Sequence, residues 1–232
     1  MRYLLCLLTL AIATISRASI DATVTLLPKS WDHRSPLPVA IWLHGYGANP
    51  SRLITDAFYQ EAADKLLIAV VGVPATREVG KDSFIWSDLP EFDLAQVEKS
   101  LAESHRVTGA TFTRKALFGF SQGAVVAAEL AARYPDEFDG AIVLSPGADV
   151  FPLEFDATKA SSDQHYFISV GAQEAAGNTS LARRYRDLLV KLGAKVVYFE
   201  VPGMKKHDRP PGCPEKFASW NAIILRLNVP GA

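Results

Sequence analysis

The sequence is poor in cysteine, with two residues of this type, Cys6 and Cys213, among 232. Cys6 lies in an amino-terminal stretch that we expect to be removed. Cys213 would then remain alone, and a single cysteine cannot form an intrachain disulfide. This excludes a small domain held together by disulfides. The folded chain must take its stability from a hydrophobic core, for which its length is sufficient.

An excess of charge of either sign is also missing. The 24 basic and 25 acidic residues leave a formal net charge of -1. A chain with this balance lacks the basic surface typical of proteins that bind nucleic acids or anionic membranes. No internal repeat, low-complexity tract or linker divides it, so we expect one globular domain.

One apolar run is present, but it is short for a membrane span. Met1 and Arg2 form a positive start, residues 3–15 are apolar, and Ser16-Arg17-Ala18 is a small-x-small cleavage pattern. This order is typical of an export signal, although a first core strand is the alternative. We expect cleavage after Ala18, which leaves residues 19–232 as the mature protein. This protein is expected in the periplasm or outside the cell, without stable membrane insertion. Loss of Arg2 and Arg17 changes the charge from -1 to -3.

Short apolar segments alternate with helical patterns along the rest of the chain. This alternation predicts βαβ units and a mostly parallel, doubly wound sheet flanked by helices. Segment 75–92 is predicted to be a long loop. The predicted strands are 21–27, 38–43, 67–73, 116–118, 140–144, 165–170 and 195–201, and the predicted helices are 51–66, 93–106, 122–134, 178–192 and 214–227.

The pattern Gly-x-Ser-x-Gly occurs at residues 119–123, between a predicted strand and a helix rich in alanine. In this context the pattern predicts a tight turn that lifts a nucleophilic serine above the sheet. Glycine is needed two positions before and two after the serine, because larger side chains would collide there. Ser121 is therefore the candidate nucleophile. The alternative is an ordinary turn serine in a chance match.

A serine hydroxyl needs a base, and the order expected on this type of fold is serine, acid, histidine. Only His165 and His207 follow Ser121. His165 begins a predicted strand and so lies at the opposite end of the sheet, whereas His207 follows the carboxyl end of one. Functional groups collect at the carboxyl ends of such strands. We therefore predict His207 as the base, the alternative being a surface histidine. Its neighbour Asp208 is expected to be solvated.

The acid of the site should also follow a strand. Glu174 lies four residues after the predicted strand 165–170, and Asp149 follows the preceding one. We favour Glu174 from its place in the chain order, and a glutamate can serve in place of an aspartate. Asp149 remains the alternative.

Attack on a carbonyl requires backbone N–H groups that stabilise the resulting oxyanion. One is expected from Gln122, the residue after the nucleophile, and the other from Tyr46 in the loop 44–47. His44 is interpreted as a structural histidine that holds this loop.

Aromatic residues in two loops could line the substrate pocket. Phe84 and Trp86 are the first candidates, with Phe151 and Phe155 as a second pair. Plain core positions are the alternative for all four. No long lid insertion is visible, which favours small or medium soluble esters.

Together these motifs resemble the α/β-hydrolase superfamily, and more narrowly its phospholipase/carboxylesterase group, which includes acyl-protein thioesterases. The resemblance extends from about Val39 to the end, with Gly-Phe-Ser-Gln-Gly as its most specific part. It implies a single catalytic domain over residues 19–232. It also implies hydrolysis of carboxylic esters or thioesters through an acyl-serine, without metal or cofactor, on a small-molecule ester substrate.

Two departures from the group's pattern concern the proposed acid and base. The group usually has Gly-x-x-Asp followed by Val-Pro, whereas here Glu174 is followed by Ala-Ala-Gly-Asn. Lys206, rather than glycine, precedes His207. A lysophospholipase or thioesterase, a serine peptidase on the same fold, and a non-catalytic binding protein are the alternative functions.

Overall fold

A computed structural model describes residues 23–87, 89–147 and 162–227. The strands are β1 (Val24–Leu26), β2 (Leu37–Leu43), β3 (Ala69–Val73), β4 (Arg77–Gly80), β5 (Ser83–Ile85), β6 (Phe112–Phe120), β7 (Gly140–Leu144), β8 (His165–Gly171) and β9 (Lys195–Val201). The helices are α1 (Arg52–Thr55), α2 (Ala57–Leu66), α3 (Pro90–Thr108), α4 (Gln122–Arg133), α5 (Ala176–Lys191) and α6 (Cys213–Ile224).

Seven strands form the central sheet, in the order β1-β3-β2-β6-β7-β8-β9. All neighbours are parallel except β1, which runs antiparallel to β3. The predicted α/β-hydrolase architecture, a single domain with a mostly parallel sheet flanked by helices, is confirmed.

The core has two layers, one on each face of the sheet. Successive strand residues point to opposite faces. Val39 and Ile41 of β2 therefore pack with helices α3, α4 and α5, whereas Ala40 and Trp42 pack with α2 and α6. Burial on both faces explains why β2, β3 and β7 have almost continuous apolar sequences.

Two predicted segments differ from the structure. The predicted helix 51–66 is interrupted at Asp56, whose extended backbone separates α1 from α2. The predicted loop 75–92 contains a two-stranded hairpin, β4 and β5. Strand β4 is exposed along its whole length, so it lacks the apolar alternation by which a strand is recognised in a sequence.

The turn between β6 and α4 confirms the need for glycine on both sides of Ser121. Ser121 has φ 57° and ψ -121°, a conformation that L-residues rarely adopt. A Cβ atom on Gly119 would lie 2.1 Å from the carbonyl oxygen of Gly123. A Cβ atom on Gly123 would lie 2.1 Å from the carbonyl oxygen of Leu43 on β2. The turn thus brings helix α4 into backbone contact with the neighbouring strand.

We expect Gly123→Ala to lower the free energy of unfolding by about 3 kcal/mol or more, because backbone atoms must move to admit the methyl group. Gly80→Ala is the matched control, since its Cβ would lie 3.7 Å from Ser83 Cβ. Urea unfolding of both variants measures the difference. Equal stability of the two would show that the turn is not constrained by this contact.

Candidate active site

The hydroxyl of Ser121 is hydrogen-bonded to the ring of His207. The distance from His207 Nε2 to Ser121 Oγ is 2.8 Å. Ser121 lies between the carboxyl end of β6 and the first residue of α4, and His207 lies in the loop that follows β9. The two residues are 86 positions apart in the chain. Parallel strands bring them together because their carboxyl ends share one edge of the sheet.

The other ring nitrogen of His207 is hydrogen-bonded to Glu174. His207 Nδ1 lies 2.9 Å from Glu174 Oε2. The imidazole also stacks on Phe120, the residue before Ser121, with 5.1 Å between ring centroids. The ring is therefore held at both nitrogens and on one face, with Nε2 directed at the serine.

Glu174 is a buried carboxylate with several donors. Its side chain has no exposed surface. Burial alone would raise its pKa, but hydrogen bonds from His207, Ser145, the Gly171 N–H and Asn178 outweigh this effect. The pKa of Glu174 therefore lies below its ordinary value, and the carboxylate is ionised beside the imidazole.

The structure brings Ser121, His207 and Glu174 into one hydrogen-bonded chain, as the sequence order suggested. Asp149, the alternative acid, lies outside the described residues, as do Phe151 and Phe155. Asp208 does not contact the His207 ring through its carboxylate. Its Oδ1 accepts a hydrogen bond of 2.7 Å from the Arg209 N–H.

Ser145 is a site residue that sequence reasoning missed. Its buried hydroxyl lies 2.7 Å from Glu174 Oε1 and 2.9 Å from the carbonyl oxygen of Asp208. The backbone of Ser145 has φ 42°, which is unusual outside glycine. It therefore touches both the acid and the loop that carries His207. Its position after β7 was the only signal in the sequence.

Asn178 was predicted only as a helix residue, yet it contacts both the acid and the base. Its Nδ2 lies 3.2 Å from Glu174 Oε2 and 3.1 Å from His207 Nδ1. Asn178 belongs to the first turn of α5, four residues after Glu174. The turn between β8 and α5 thus supplies the acid and a second polar group beside it.

Two backbone N–H groups near Ser121 are available as donors. Within the described ranges, no acceptor is hydrogen-bonded to the N–H of Tyr46 or of Gln122. Gln122 is the first residue of α4, where N–H groups have no partner inside the helix. The loop before Tyr46 lies against the serine, since a Cβ on Gly45 would be 3.2 Å from Ser121 Cβ.

His44 holds the loop that contains Tyr46. Its Nε2 accepts a 3.1 Å hydrogen bond from the Ala75 N–H, and its Nδ1 lies 2.8 Å from the Gly45 carbonyl. Burial lowers the pKa of His44 to about 4, so the ring is neutral at physiological pH. This geometry agrees with the structural role that the sequence suggested.

Phe84 and Trp86 do not line the cavity beside Ser121, which corrects the prediction that they contact substrate. Both are buried in the core. Trp86 Nε1 donates a 2.7 Å hydrogen bond to the His44 carbonyl, and its backbone N–H donates to Gln122 Oε1. Phe84 pairs by its backbone with Gly47 and Ala48. Both aromatic residues therefore lie in the core and hold the loops of the site in place.

The cavity beside Ser121 has a volume of about 320 Å³. It lies between the loop after β2 and the loop after β9. Its lining consists of Trp42, Gly45, Tyr46, Ala48, Arg52, Phe120, Ser121, His207, Asp208 and Arg209. A larger cavity of about 650 Å³, between β1 and α3, contains none of the candidate catalytic residues.

A family comparison gives this geometry a context. Residues 19–184, more than half of the chain, match the family model described as "Putative esterase". The chain belongs to this esterase family. It is accordingly a hydrolase that acts on esters. A search of curated proteins found no match.

Solved structures share the fold of this esterase at low sequence identity. The Bacillus cereus carboxylesterase is 20% identical, with a TM-score of 0.65 over 87% of this chain and 93% of the other. A phospholipase/carboxylesterase from Dyadobacter fermentans is 21% identical, with a TM-score of 0.63 over 88% and 96% of the two chains. A fluorophosphonate-binding serine hydrolase of Staphylococcus aureus is 13% identical, with a TM-score of 0.62 over 87% and 91%.

No helix of the esterase, within the part that the structure describes, is long and apolar enough to span a bilayer.

Ser145→Ala tests whether the buried hydroxyl keeps Glu174 ionised. We expect the free energy of unfolding at neutral pH to fall by about 2 kcal/mol, because a buried carboxylate oxygen loses one of its two donors. The folded-state pKa of Glu174 lies below the ordinary 4.5, so its stabilising effect is present above that pH and is lost on acidification. The gap between wild type and variant should therefore narrow below pH 4.5.

Urea unfolding at neutral and at acidic pH measures this gap. Ser219→Ala is the control, since that exposed hydroxyl donates only to the Lys216 carbonyl. A gap that stays constant with pH would contradict the link between Ser145 and the charge of Glu174.

Proposed function

We propose that this esterase is a serine hydrolase in which Ser121, His207 and Glu174 form the catalytic triad. The supporting observation is the continuous hydrogen-bonded chain, 2.8 Å from Ser121 Oγ to His207 Nε2 and 2.9 Å from Nδ1 to Glu174. A serine needs such a base to become a nucleophile, and the base needs an anionic partner to fix its tautomer.

In the first half-reaction, Ser121 Oγ attacks the ester carbonyl while its proton passes to His207 Nε2. The imidazolium ion is stabilised by the ionised Glu174 at Nδ1. The carbonyl oxygen becomes an oxyanion, to which the N–H groups of Tyr46 and Gln122 would donate hydrogen bonds in this proposal. The C–O bond to the alcohol then breaks, the proton moves from Nε2 to the alcohol oxygen, and the acyl group remains on Ser121.

In the second half-reaction, water replaces the alcohol. His207 Nε2 removes a proton from the water, whose oxygen attacks the acyl carbonyl. Collapse of the second oxyanion releases the carboxylic acid and returns the proton to Ser121 Oγ. The reaction consumes one water and requires no electron transfer.

The substrate class that we propose is small to medium acyl esters. The cavity of about 320 Å³ has the size of a small-molecule pocket and includes the apolar walls of Trp42 and Phe120. The carboxylesterase activity named for the Bacillus cereus neighbour is in keeping with this class.

Ser121→Ala and His207→Ala should each lower kcat for nitrophenyl acyl esters by at least about ten-thousandfold, with the fold retained. Glu174→Gln should cost about a hundredfold or more, because it removes the charge that stabilises the imidazolium ion. Steady-state kinetics measure these losses, and a fluorophosphonate probe should label wild type but not Ser121→Ala.

Asp149→Asn is the matched control for the acid, because Asp149 is the alternative in the sequence. We expect near wild-type turnover from it. If Asp149→Asn were inactive and Glu174→Gln active, the assignment of the acid would be wrong. If Ser121→Ala kept its turnover, the assignment of the whole triad would be wrong.

We also propose that the protein is exported after removal of residues 1–18. The charged start, the short apolar run and the Ser16-Arg17-Ala18 pattern support this. The family match begins at residue 19, which leaves the proposed signal outside the family domain.

Expression of the full chain in a bacterial host, followed by fractionation and mass spectrometry of the amino terminus, tests export. We expect mature protein that begins at Ser19 in the periplasm or medium. Retention of the intact amino terminus in the cytoplasm would contradict the proposal.

A further inference from the structure

The two loops that frame the cavity are more basic than the chain as a whole. The segments 44–56, which includes the short helix α1, and 202–212 carry four basic side chains and two acidic ones, whereas the whole chain has a net charge of -1. These side chains are Arg52, Lys205, Lys206, Arg209, Asp56 and Asp208. A local excess of positive charge around a cavity raises the local concentration of anionic ligands.

Arg209 is held by a carboxylate of the protein. Its Nη1 lies 2.8 Å from Asp56 Oδ2 and 3.4 Å from the Tyr59 hydroxyl. The pair is partly buried, with 29% of each side chain exposed. Asp208 lines the cavity too, and its Oδ1 accepts a hydrogen bond from the backbone N–H of Arg209. The charge of Arg209 is thus largely compensated.

Arg52 lines the same cavity, but its charge differs from that of Arg209 in having no paired carboxylate among the described residues. Its backbone is fixed, because the Arg52 carbonyl accepts hydrogen bonds from the Asp56 N–H and from Thr55 Oγ1. Arg52 and Ser121 line the same cavity. A guanidinium group carries a planar fork of N–H donors that suits a carboxylate or a phosphate group.

Trp42 is a second side chain that lines this cavity. The residue is 4% exposed. Its buried Nε1–H has no hydrogen-bond partner within the described residues. A buried donor without a partner is costly, and the Trp42 ring contributes an apolar wall to the cavity.

We propose that the cavity selects esters that carry an additional anionic group, and that Arg52 is the residue that binds this group. The inference rests on the proposed function, since it assigns a substrate class to the same site. The apolar walls would take the carbon chain of the substrate, while the guanidinium group pairs with its carboxylate or phosphate.

The test compares matched esters with and without a carboxylate. Mono(4-nitrophenyl) succinate and 4-nitrophenyl butyrate differ on the acyl side, and 3-carboxyphenyl acetate and phenyl acetate differ on the alcohol side. In at least one pair we expect Arg52→Gln to lower kcat/KM for the anionic ester by about tenfold, while the neutral ester changes less than twofold. Arg52→Lys should keep part of the preference.

Lys206→Gln is the control, because it removes an exposed positive charge near the site without changing the cavity lining. We expect from it only a small loss that disappears at high salt. The proposal is overturned if Arg52→Gln affects neutral and anionic esters equally in both pairs. It is also overturned if Lys206→Gln reproduces the full effect of Arg52→Gln, which would indicate a diffuse field rather than a binding residue.

The Ser121→Ala variant separates this inference from the proposed function. Loss of butyrate hydrolysis in Ser121→Ala, together with no selective effect of Arg52→Gln, would refute the anionic subsite alone. Retained hydrolysis in Ser121→Ala would refute the triad.

Discussion

The contact between the backbone of α4 and the end of β2 is the constraint on which the site depends. Gly123 lies so close to the carbonyl oxygen of Leu43 that a Cβ atom would be 2.1 Å from it. The contact fixes the start of α4, and with it Gln122, next to the loop 44–47 that follows β2. Because the helix cannot slide along the sheet, the unusual backbone of Ser121 is held in place by its surroundings rather than by its own preference.

The burial of Glu174 imposes a second constraint on the site. Glu174 is buried, and a buried carboxylate is tolerated only when donors surround it. Ser145 and the Gly171 N–H bind one of its oxygens, while His207 and Asn178 lie at the other. These donors come from the ends of β7 and β8, the start of α5 and the loop after β9. The carboxylate is therefore the point where four segments of the chain are joined, so charge, stability and orientation of the base depend on one group.

The sequence predicted the mostly parallel sheet, most of its strands and the members of the hydrogen-bonded chain, because these leave local signals. Gly119 and Gly123 flank the serine, and apolar strands end just before Glu174 and His207. The roles of Ser145 and Asn178 left no such signal, since a serine after a strand and an asparagine in a helix occur in many contexts. Trp86 was misjudged for a related reason. An aromatic residue in a loop can line a pocket or pack in the core behind it, and only the fold distinguishes the two.

The same distinction applies to charge. In the sequence, Arg52 and Arg209 are equivalent basic residues, one at the start of α1 and one in the loop after His207. In the structure Arg209 is bound to Asp56, which is where the predicted helix 51–66 is interrupted. The break at Asp56 thus has two effects. The Asp56 carboxylate pairs with Arg209. Arg52 lies in the separate short helix α1, and its side chain lines the cavity beside Ser121. An irregularity that a sequence pattern does not show therefore decides which of the two cations is available to a substrate.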